Sequence, residues 1–220
     1  RCTADTDAQA DLLTTALALA RLDPDTADAA QIAAALSNLA LADPLAFAGG
    51  GPQAVELRLP DDATAAPPES AIAERLGALL ALAPHAALTI RGPLGPALIA
   101  GAAHARRLGF AAVHVRTDLA SPEADPAGLL DAADVISIDL HGQTEIAYRS
   151  HPAARPGGFA SAQRHLARLL ESRPTGGLPL PWIVPRLTRR DEVYEQIEPF
   201  YDTWLMRVGA AVIDPLDAPV

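Results

Sequence analysis

From residue 54 onward, short apolar runs alternate with stretches of helical periodicity, and this alternation restricts the chain to few architectures. Strands are expected at 54–59, 86–90, 111–116, 134–138, 181–185 and 210–213. Helices are expected between them at 70–82, 96–108, 126–132, 159–172 and 191–208. Runs of this length, rich in Val, Ile and Leu and separated by helices, form parallel sheets covered by helices. The strand at 181–185 is the weakest of the set, because prolines flank it. An open doubly wound sheet and a barrel both satisfy the pattern. In either one, ligands sit where the strands end and the following loops begin, here 60–68, 91–95, 117–125, 139–145 and 186–190.

The N-terminal part reads differently. Residues 6–22 and 26–42 have helical spacing, each stopped by Asp-Pro, and Gly49-Gly50-Gly51-Pro52 then breaks the chain. The expected organisation is a helical segment over 1–50 and an α/β unit over 51–220. The chain opens on Arg-Cys and ends without an obvious stop, which reads as a segment of a longer protein with further domains.

Composition excludes several function classes. The net charge is −10, and all 17 basic residues are Arg. Nucleic-acid affinity needs clustered cations that release counterions, and the nearest cluster is Arg186, Arg189 and Arg190 in one short stretch, read as solvated. An acidic surface is also repelled by anionic membranes, and no apolar run reaches the length of a membrane span. With Cys2 as the single cysteine, no internal disulfide can form, which fits a reducing, cytoplasmic setting. The partner class left by these exclusions is a small molecule or a peptide.

Several motifs fall in order along the α/β part. DVISIDLHG at 134–142 is followed by QTEIAY at 143–148, then by GGF at 157–159 opening a helix that ends LLESR at 169–173. Upstream are LTIRGPLGP at 88–96, ARRLG at 105–109 and VRTD at 115–118; downstream are IVP at 183–185 and PFYDTWLMRVG at 199–209. Taken together over about 54–214, these resemble the radical S-adenosylmethionine (radical SAM) superfamily, in particular members with a C-terminal SPASM region. The resemblance implies a partial (β/α) barrel of consecutive parallel βα units. It implies S-adenosylmethionine and a [4Fe–4S] cluster as cofactors. It also implies a cofactor-binding set of Arg91 and Gly92 after the second strand, Thr117 at the end of the third, and Ser137 and Asp139 on the fourth.

The departures from the family pattern are as informative. Its C-x-x-x-C-x-x-C signature belongs in the loop after the first strand, where this chain has DDATAAPP at 61–68. Thiolates hold such clusters, and aspartate oxygens do not replace them. The family's Gly-Gly-Glu-Pro segment is reduced to Arg91-Gly92-Pro93. The expected function is therefore that of a segment or diverged, cluster-free member of a radical SAM/SPASM-type protein, not competent for radical chemistry on its own. A non-catalytic binding or scaffold barrel, and an unrelated α/β enzyme using strand-end carboxylates, are the alternatives.

Other residues have plainer readings beside the functional ones. Asp61 and Asp62 have the chemistry of a hard-cation site and equally that of a solvated turn. Asp139 serves either a ribose-like ligand or the following turn as a cap. His85, His104, His114, His141, His151 and His165 show no ligand spacing; only His141 falls in an expected site loop, and the others read as surface or packing residues. Tyr194, Phe200, Tyr201 and Trp204 share one expected helix and read as core.

Overall fold

The structure is a computed structural model that describes residues 54–61, 66–84, 86–173 and 180–215. The expected N-terminal helices, Cys2, Asp62 and His85 lie outside the described residues. In chain order the elements are β1 (Ala54–Arg58), α1 (Glu69–Leu82), β2 (Ala87–Arg91), α2 (Pro96–Leu108), β3 (Ala112–Thr117), α3 (Gly128–Ala132), β4 (Val135–Asp139), α4 (Glu145–Arg149), α5 (Gly158–Ser172), β5 (Trp182–Thr188), a 3-10 turn (Asp191–Gln196), α6 (Ile197–Val208) and β6 (Val212–Asp214). The 3-10 turn splits what the sequence presents as one helix over 191–208.

Local chemistry explains the element ends. Pro96 opens α2, where its missing N–H is no loss. Gly109 and Gly209 close α2 and α6 in the left-handed conformation, with φ of 86° and 77°. Thr144 caps α4, accepting a hydrogen bond from the Ala147 N–H.

All six strands are parallel and lie in sequence order, β1-β2-β3-β4-β5-β6. A doubly wound sheet reverses its strand order partway and carries helices on both faces; here the order never reverses, and that alternative is excluded. Alternation along the strands separates two faces. Leu57, Leu88, Ile90, Val113, Val115, Ile136, Ile138, Ile183 and Leu187 point one way into a single core. Ile72 and Leu76 of α1, Leu98 of α2, Leu129 of α3, Leu166 and Leu169 of α5 and Phe200 of α6 join that same core. Each such Leu or Ile contributes roughly 1.5–3 kcal/mol by leaving water.

The opposite face is graded. Toward the strand N-termini it carries a small apolar cluster of Ala87, Ala112, Val135, Trp182 and Val184. Toward the C-termini it becomes polar, with Thr89, His114 and Ser137 followed by Arg91, Arg116, Asp139, Arg186 and Asp214. Among the described residues, no helix is long and apolar enough to cross a membrane.

Candidate functional site

The polar face is held together by two layers of side-chain bonds. In the lower layer His114 is bonded at both ring nitrogens, Nδ1 to Thr89 Oγ1 at 3.1 Å and Nε2 to Ser137 Oγ at 2.8 Å. Burial, reinforced by the nearby Arg186 and Arg116 cations, lowers His114 from 6.5 to about 4, so the ring is neutral at pH 7.

The upper layer is a closed circuit of alternating charge. Arg116 Nε donates to both oxygens of Asp139, at 3.0 and 2.9 Å. Arg116 also reaches Asp214 at 3.2 Å. Arg186 bonds Asp214 through Nε at 3.1 Å and again through its terminal nitrogen, and stands 3.8 Å from Asp139. Two cations and two anions, each between 14% and 21% exposed, thus neutralise one another across β3 to β6.

Above this circuit, at the C-terminal ends of β1 to β4, a cavity of about 490 Å³ opens. That is within the usual range for small-molecule sites. Arg91, Gly92, Thr117 and Asp139 line it, so four of the five residues expected to bind a cofactor come together. Ser137 does not join them; its side chain lies one layer lower on the face, committed to His114. Asp61 reaches the rim, and His141, expected in a site loop, lines the wall.

The far wall is the segment between α4 and α5. His151 stacks on His141 with centroids 3.8 Å apart and planes 7° from parallel. Burial is the main cause that lowers each of them to about 4. The Ala153 N–H donates to His151 Nδ1 at 3.1 Å, so in the neutral ring the proton sits on Nε2. Arg155 donates to the Asp61 carbonyl at 2.8 Å and lies 3.8 Å from Asp118, tying this wall to the ends of β1 and β3. The reading of His151 as a surface or packing residue is therefore corrected: it is a cavity residue.

Two buttresses fix the loops. Arg190, with its side chain 9% exposed, donates to the His141 carbonyl at 2.8 Å and the Ala147 carbonyl at 3.3 Å. Arg186 and Arg190 are thus internal cross-links, against the expectation of a solvated cluster; Arg189 alone of the three is exposed, over the Tyr194 ring. Buried His165 donates from Nδ1 to the Leu119 carbonyl at 2.9 Å. Leu119 has φ of 55°, a conformation costing a non-glycine residue about 1–2 kcal/mol, and His165 holds the strand-end loop there.

Two polar side chains near the strand ends have no protein partner. Thr117 is 2% exposed and its Oγ1 makes no hydrogen bond. Among the described residues the Arg91 guanidinium makes no ion pair or hydrogen bond. No group of three or more metal-ligating side chains converges among the described residues. Of the expected aromatic core, Phe200 and Trp204 are buried, whereas Tyr194 and Tyr201 are 59% and 44% exposed.

The charged circuit had a sequence signal that a motif reading passes over: one ionisable residue recurs near the end of each strand, on the parity opposite the core residues. His151 and Arg155 had none, because their placement depends on how a loop folds back. Compared with known proteins, the chain matches no family model, no curated protein and no solved structure.

Proposed function

We propose that residues 54–214 form a partial (β/α) barrel of the radical SAM-like kind, which binds a small molecule at its strand ends and does not generate radicals by itself. The observation that carries the barrel is the contact between Arg116 of β3 and Asp214 of β6 at 3.2 Å. These strands are separated by two others, and in a flat sheet their axes would stand about 14 Å apart at three spacings of about 4.8 Å. Side chains that meet across such a separation favour a strongly concave face. Helices gathered on the opposite face and an unreversed strand order support the same curvature.

The donor set argues against the family's cluster. Guanidinium, carboxylate and imidazole groups line the cavity, and the loop at 61–68 carries no thiol. Such a set does not fit a [4Fe–4S] cluster. Carboxylate catalysis is disfavoured as well, since Asp139 is engaged by Arg116 on both oxygens. What remains is a pre-formed polar pocket with open donors, the equipment of a binding site.

Anaerobic reconstitution with iron and sulfide, followed by assay of both, is expected to load no stoichiometric cluster. About four irons per chain with the matching visible absorbance overturns the reading. Calorimetry is the companion measurement. Without a cluster, and without the family's glutamate beside Gly92, S-adenosylmethionine loses two charged anchors worth about 1.5–3 kcal/mol each. Its affinity falls at least about a hundredfold.

A further inference from the structure

We propose that the strand-end cavity is built for an anionic oxygen group, a carboxylate or a phosphate, gripped by Arg91 and His151. This names the ligand class of the binding site above and rests on that reading. Two observations converge. The Arg91 guanidinium lines the cavity with no bond or ion pair among the described residues, whereas Arg116 and Arg155 face Asp139 and Asp118. On the opposite wall, the Ala153 N–H occupies His151 Nδ1 and leaves Nε2–H as an uncommitted donor.

The charge balance favours an anion at this spot. The circuit of Arg116, Asp139, Arg186 and Asp214 is neutral within itself, and Asp118 lies against Arg155. Asp61 stands at the exposed rim, where water screens its charge. The positive charge of Arg91 is what the interior leaves uncompensated. Arg is suited to bidentate recognition of either anion through its planar fork, and the His151 Nε2–H offers a further donor from the other wall.

The test is a titration of the full chain at fixed ionic strength with three probes: inorganic phosphate, succinate and adenosine. Saturable binding of phosphate or succinate at one per chain is expected, and the arm that binds separates a phosphate source from a carboxylate one. R91Q should weaken it about tenfold or more. H151A should also weaken it, because the open Nε2–H donor is lost. R58Q, at an exposed residue of β1 outside the cavity, should change nothing. No saturable binding of either anion, binding of adenosine alone, or binding unaffected by R91Q overturns the assignment. Such a failure is distinct from cluster loading, which instead overturns the underlying reading.

Discussion

His114 is the residue at which chemistry and stability meet most directly. It is bonded on both sides within the sheet and held neutral by burial, with its ordinary value of 6.5 lowered to about 4. The unfolded chain therefore binds a proton near pH 6.5 that the folded chain refuses until about pH 4, so stability is complete above 6.5 and falls as pH drops through that window. For a buried histidine the full effect is about 3 kcal/mol. His141 and His151 titrate in the same direction, again chiefly through burial. Urea midpoints measured between pH 7 and 5 should decrease steadily, and H114Q should flatten part of that slope. An unchanged slope in H114Q would show that His114 is not one of the groups responsible. None of this was visible in the sequence, where His114 is one polar residue inside an apolar run. Asp134 was equally hidden: it reads as the start of a motif, yet it is 1% exposed and accepts bonds from the Val113 N–H at 2.8 Å and from Arg106 at 2.5 Å.

At the scale of elements, α4 shows how tightly the loop after β4 is seated. A Cβ at Gly142 would lie 2.7 Å from the Tyr148 backbone nitrogen and 2.8 Å from the Ala147 carbonyl carbon. Backbone cannot step aside as a flexible side chain can, so G142A should displace α4 and cost about 1–3 kcal/mol. It should also loosen the His141–His151 stack, since His141 precedes this glycine. Thermal denaturation reads the first effect, and the imidazole proton shifts of the two histidines read the second; a variant with wild-type melting and shifts would mean that α4 has room the geometry does not suggest. The strands and most helices were legible from periodicity and from Pro and Gly punctuation. The limits that failed were those set by tertiary contacts. The strand at 181–185, demoted for its prolines, extends as β5 to Thr188 because Leu187 is buried in the core and Arg186 meets Asp214. The helix expected at 191–208 begins as a 3-10 turn, and Gln196 there accepts from the Gln143 N–H at 2.7 Å.

Across the whole molecule, protection should follow position in the sheet. β2 to β5 are paired on both sides and packed against the single core, while β1 and β6 are paired on one side among the described residues. Amide hydrogen exchange should therefore be slowest in β3 and β4 and fastest in β6, which is only three residues long. Exchange in β6 as slow as in β4 would mean that its outer edge is covered by another part of the chain.

The unreversed strand order also bears on how such a chain is made. In a doubly wound sheet, a strand translated late must find its place beside one translated early. Here every new strand docks against the one that left the ribosome just before it, and none has to be threaded between two already joined. Assembly can therefore advance in the direction of synthesis, each βα unit offering its successor a finished template, and the polar circuit at the strand ends is locked only when Asp214 arrives last.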